Sequence, residues 1–117
     1  MNVKQFAMVI IALSAPCAAA ASSEAEKAAK SFGYAIQAMG WCKAYSVHAQ
    51  REAHLDEEYG EPMRGDALKP SFGLGLQRFM TDEAKYGTNG ACNKAWSRVG
   101  PTGSEYPGLL MKNPFMQ

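Results

Sequence analysis

Apolar positions are densest between Phe32 and Ala49, FGYAIQAMGWCKAYSVHA. Wound at the ~100° per residue of an α-helix, this stretch is apolar in nearly every direction. Ile36 and Val47 point one way, Phe32 and Met39 another, Ala35 and Cys42 a third, and Tyr34, Trp41 and Tyr45 a fourth. Only Gln37, Lys43, Ser46 and His48 interrupt it. A helix apolar all round is buried by its neighbours, so the pattern predicts a central helix covered by the rest of the chain. The same spacing extends upstream through Ala25 and Ala28, where Ser23 to Glu26 has the form of a capping box. Downstream, residues 50–59 (QREAHLDEEY) are polar and acidic and read as the solvent-facing continuation of the helix. Gly60 and Pro62 end it. The first element is therefore expected over about 24–59.

A second apolar stripe, Phe72, Leu76, Phe79, Met80 and Ala84, recurs at three-to-four spacing and predicts a helix over about 71–86, closed by Gly87. A third helix is expected over about 89–99, with Cys92, Ala95, Trp96 and Val99 inward and Gly100-Pro101 as the stop. Between the first two, residues 61–70 (EPMRGDALKP) read as a loop bounded by prolines. No stretch alternates with the period of a strand, and no repeat is visible. The fold class read from the pattern is all-α, a small three-helix domain. Gly33 and Gly40, seven residues apart, share a face with Ala29 and Ala44 that would admit another helix closely; a kink at Gly40 is the competing reading.

The ends differ from this body. Residues 1–21 carry Lys4, the apolar run Phe6–Ala15 and then Ala18 to Ala21, the order of a cleavable secretory signal. The run is shorter than the ~20 residues of a membrane span. Cys17 follows Pro16, a poor context for lipid attachment, and is expected to leave with the leader. Residues 22–100 then form the helical domain and 101–117 a tail punctuated by Pro and Gly. Tyr106, Leu109, Leu110, Met111, Phe115 and Met116 make that tail too apolar for a plain disordered end. It either packs back on the helices, the favoured reading, or docks a partner protein or a membrane surface.

Charge and cysteine content narrow the function. The chain has 12 Lys+Arg and 11 Asp+Glu; with Lys4 in the leader, the remainder balances. Nucleic-acid binding would leave a basic surplus, and polybasic attachment to anionic lipid would too. Removal of Cys17 leaves Cys42 and Cys92, expected to pair in an oxidising compartment, periplasmic or secreted, given a Gram-negative-type signal. Closing a loop of this length removes chain entropy worth ~4 kcal/mol. The pair lacks C-x-x-C spacing and reads as a staple, with Trp41 and Trp96 expected around the bond.

Candidate chemistry is sparse. His48 with Glu52 and His54 with Glu58 are i, i+4 pairs suited to a metal or a pH switch. On one continuous helix the two histidines stand ~120° apart, so the pairs would not combine into the three or four ligands a zinc site needs. Arg64-Gly65-Asp66 is an adhesion-type tripeptide in the predicted loop, with a plain turn as the simpler reading. Gly73-Leu74-Gly75 lacks the third glycine and the preceding strand of a dinucleotide fingerprint. Nucleophile elbows and H-E-x-x-H are absent, no catalytic residue is nominated, and no cofactor is implied. In layout, a secreted helical chain with two cysteines about fifty residues apart, the protein resembles the small periplasmic acid-stress chaperones. These features predict a non-catalytic interaction protein (an inhibitor, an accessory subunit or a host-directed factor) whose partner is another protein. An acid-stress chaperone that exposes its core helix and tail is the alternative, and a minor metal-binding protein the second alternative.

Overall fold

The computed structural model describes residues 23–59 and 66–116. The expected leader over residues 1–21, and Arg64 and Gly65 of the adhesion-type tripeptide, lie outside the described residues, as does the side chain of Met116.

Helix α1 spans Ser23–Trp41, with Glu24 and Glu26 in its first turn, where the helix dipole favours anions. Its small residues Ala25, Ala28, Ala29, Ala35 and Ala38 are buried together with Phe32 and Tyr34. The helix does not run on to residue 59. Cys42 N donates to Ala38 O (2.7 Å), and Tyr45 N then closes a turn on Cys42 O (3.0 Å). Tyr45–Val47 follows as strand β1, antiparallel to β2, Leu110–Lys112, with Tyr45 opposite Lys112 and Val47 opposite Leu110.

The physical reason for this departure is the tail. His48 N donates to Leu109 O (2.8 Å), Asn113 N to Ala44 O (2.7 Å), and the Asn113 amide to Lys43 O (3.3 Å). These bonds give the backbone an alternative to helix at Tyr45 and Val47, aromatic and β-branched residues that suit a strand. Helix α2, Ala49–Tyr59, starts afresh, with the His48 carbonyl accepting from Arg51 N (3.1 Å) and Glu52 N (3.0 Å). Leu55 is the one buried residue of α2.

Helix α3 spans Lys69–Val99 but breaks at Gly87, whose φ of 80° and ψ of 169° are non-helical. Its two segments correspond to the second and third predicted helices. Pro70 sits in the first turn, where its missing N–H costs nothing. The α1–α3 contact is made possible by two glycines. A Cβ on Gly33 would collide with the backbone carbonyl of Phe72, and one on Gly75 with the carbonyl of Lys30 and, at 2.7 Å, with Tyr34 N. Gly40, predicted to share that role, faces open space, and α1 continues past it without a break. The Gly73-Leu74-Gly75 run thus has a packing purpose in Gly75.

Cys42 and Cys92 are bonded, with Cα atoms 5.8 Å apart. The fold class is as predicted, helical and small with this disulfide, and a short two-stranded sheet is added. Tyr34, Phe32, Phe79, Leu55, Leu109, Leu110 and Val99 are the largest fully buried side chains, so two tail residues belong to the core. Tyr106 packs partly buried against it, Met111 is half-buried, and Phe115 is 91% exposed.

Candidate functional site

At the end of the molecule where α1 stops and α3 breaks, the last turn of α1 directs Ala38 and Cys42 inward and leaves Met39 (39% exposed) and Trp41 (41% exposed) in solvent. The disulfide lies in the lining of a cleft of about 510 Å³. Trp41, Lys43 and Tyr45 form one side, and Thr88, Asn89 and Asn93 of α3 the other. Trp41 therefore stands at this cleft, exposed, while Trp96 finds a different partner: its ring stacks on Tyr45, centroids 4.6 Å apart and planes at 21°.

Lysines collect on these rings. Lys112 Nζ lies 5.6 Å from the Tyr45 centroid and 4.9 Å from that of Trp96, and Lys85 and Lys94 lie 5.3 and 4.6 Å from that of Tyr86. Each is within cation–π range. Burial pushes the Tyr45 hydroxyl above its usual range, so it stays neutral beside Lys112. Tyr86 is 46% exposed. Thr88 donates to a Glu83 carboxylate oxygen (3.2 Å).

The histidines fall elsewhere, and not as a single helix would place them. Because α2 begins at Ala49, His48 precedes it, and both His48 and His54 line one cleft of about 340 Å³ with Arg51 and Gly108. The ~120° separation expected on one continuous helix does not apply, because His48 precedes α2. The Nδ1 of His48 is buried with no hydrogen-bond partner among the described residues. His54 Nε2 is 3.8 Å from Glu58, both side chains at least half exposed. Among the described residues no three His, Cys, Asp or Glu side chains stand together as a metal site. Asp66 is exposed in a turn ahead of α3.

A polar network that the sequence reading missed ties the tail to the core. Arg98 Nη1 donates to the Tyr34 hydroxyl (3.0 Å) and to Asp82 (2.7 Å). Arg78 grips Glu105 through both carboxylate oxygens, at 2.6 and 2.8 Å, and Arg98 Nε lies 3.7 Å from the same carboxylate. Hydrogen bonds from Arg78 hold the Glu105 carboxyl below its ordinary range against an opposing desolvation cost. Burial raises the Tyr34 hydroxyl above its usual value. These partners lie 16, 27 and 64 residues apart in sequence, so no local spacing announces them. Arg51 adds a further tie, donating to Pro107 O (3.2 Å) beside Gly108, whose φ of 90° a side-chain-bearing residue rarely adopts.

Comparison with protein-family models, curated proteins and solved structures finds no match. Among the described residues, no helix is long and apolar enough to cross a membrane. An intrachain disulfide fits an oxidising compartment.

Proposed function

We propose that this chain is a small non-catalytic binding protein, secreted or periplasmic, that recognises another protein through the aromatic and lysine-bearing end built around Cys42–Cys92. The observation that carries the reading is the exposure of Trp41 in the lining of a 510 Å³ cleft, with Met39 exposed at the same end of α1, while Phe32, Tyr34 and Phe79 along the α1–α3 contact are fully buried. Exposed large apolar groups gathered at one place mark interaction surfaces more than stability, and Trp and Tyr lead among residues that anchor interfaces. The leader-like pattern of residues 1–21 and the disulfide support the compartment.

The test is site-specific photocrosslinking in the exporting cell, with p-benzoylphenylalanine placed at Trp41 and, as a control, at Asp56 on α2. A discrete adduct from position 41 that is absent from position 56 is expected. No adduct, or the same adducts from both positions, overturns the reading.

A second reading, the acid-stress chaperone, is favoured by the Arg78–Glu105 clamp, since the loop it holds leads directly into the buried Leu109 and Leu110. It requires suppression of client aggregation at about pH 3 and none at about pH 7. Equal activity at both values removes it.

A further inference from the structure

The disulfide cleft has a sign. Among the described residues its lining includes Lys43 and no carboxylate. Lys112 Nζ lies 5.6 Å from the ring of Tyr45, a residue of the wall. The Glu83 carboxylate accepts from the lining residue Thr88, so one negative charge stands behind that wall. The acidic side chains Glu52, Asp56, Glu57 and Glu58 are gathered instead on α2. A chain with almost balanced charge thus keeps a cationic end apart from an acidic helix.

We infer that the cleft takes an acidic segment of a partner protein that carries an aromatic or long aliphatic anchor, its carboxylates meeting Lys43 and Lys112 and its anchor lying against Trp41. This rests on the reading of the disulfide end as the recognition surface and names what that surface selects. Three observations carry it. The volume, about 510 Å³, lies within the ~300–1,000 Å³ of compact binding clefts and accommodates an anchoring side chain with its neighbours.

The second observation is the placement of the ammonium groups. Lys43 is part of the lining and Lys112 lies over the ring of the lining residue Tyr45, which leaves compact positive charges at the wall to meet carboxylates. The third is rigidity. The disulfide and the Tyr45–Trp96 stack fix the walls, so little ordering cost remains for binding.

The experiment is an NMR titration of the full chain, expressed for export with its disulfide formed. The probes are acetylated, amidated peptides: Glu-Glu-Phe-Glu-Glu, its glutamine counterpart Gln-Gln-Phe-Gln-Gln, and Glu-Glu-Ala-Glu-Glu. An oligogalacturonate serves as an acidic saccharide. The glutamate–phenylalanine peptide is expected to bind tightest, shifting the Trp41 indole and the Lys43, Asn89 and Asn93 amides, and to weaken with added salt.

Lys43→Glu combined with Lys112→Glu should reduce its affinity by about tenfold or more, since opposite charge becomes like charge. Lys43→Glu alone, at an exposed turn, should act in the same direction if the double variant folds poorly. Equal binding of the glutamine peptide, tighter binding of the oligogalacturonate, or shifts confined to α2 would overturn the inference. So would concentration-dependent self-association abolished by neutralising α2, because the occupant would then be a second copy. Failure here with a position-41 crosslink intact removes only the acidic segment; loss of the crosslink removes the recognition surface itself.

Discussion

Helix α1 meets α3 in two different ways. In its middle, Gly33 and Gly75 let backbone approach backbone, and Phe32, Tyr34 and Phe79 close over the crossing with no exposed ring. At its C-terminal end the attachment is the Cys42–Cys92 bond, where Trp41 stays exposed in the lining of an open cleft and Met39 is also exposed. Close packing holds a helix pair by excluding everything else from the contact. A covalent bond holds without needing cover. The staple thus stands in for burial at the one end where burial would hide the surface assigned here to recognition.

The sharpest way to break this comparison is to remove the staple. Cys42→Ala with Cys92→Ala should lower stability by ~4 kcal/mol on the chain-entropy account of a loop this long. For a domain of this size that is a fall in Tm of roughly 15–30 °C, read by circular dichroism. The glycine crossing should retain helical signal after the cleft end loosens, and Trp41 emission should respond before the far-ultraviolet signal does. A melt within about 2 °C of wild type would mean that packing holds both ends and that the cleft end is not specially tethered.

Next in size comes the crossing. Gly75→Ala places a methyl group against the Lys30 carbonyl and Tyr34 N, and overpacking of this kind costs ~1–3 kcal/mol. Gly40→Ala, on the same helix face as Gly33 but in open space, should instead gain up to ~1 kcal/mol from better helix propensity. Urea unfolding of both variants measures the difference. Stabilisation by both substitutions would show that the close approach at Gly75 has slack, and the contrast between the two ends of α1 would lose its first half.

What the pattern of residues revealed follows the same division. The stripe Phe72, Phe79 and the run Cys92, Ala95, Val99 are local signals repeating within a helix, and they placed both segments of α3 and the Gly87 break. Pairing of Cys42 with Cys92 needed only a count of cysteines. The end of α1 at Trp41 was illegible because a tail sixty-odd residues further on supplies the hydrogen bonds that turn Tyr45–Val47 into a strand. That one misplacement carried over to the histidines, which share a cleft only because His48 lies outside α2. The lysine-covered rings were invisible for a like reason, since Lys112 and Tyr45 become neighbours only through the strand pair. Gly33 and Gly40 look alike in sequence, and only the partner helix distinguishes them.

The smallest expected effect lies in the tie between tail and core, and its pH dependence can be worked out. Glu105 is held by both nitrogens of Arg78, with about a third of its side chain exposed. Its carboxyl titrates below the ordinary glutamate value of 4.5, so the fold favours the ionised form. The stabilisation is therefore fully present above that value and is lost as pH falls through it towards the lower folded value, where the protonated acid no longer pairs with Arg78. A two-point pair this exposed contributes about 1 kcal/mol. Glu105→Gln should cost about that much at about pH 7 and less at about pH 3, because the stabilisation is already being lost below the ordinary value of 4.5. Urea unfolding at both values reads the difference. Hydrogen exchange at Leu109 and Leu110 should rise in the variant at neutral pH and, in wild type, only on acidification. If the cost of Glu105→Gln is the same at both pH values, Glu105 acts by shape and not by charge, and release of the tail by acid loses its trigger.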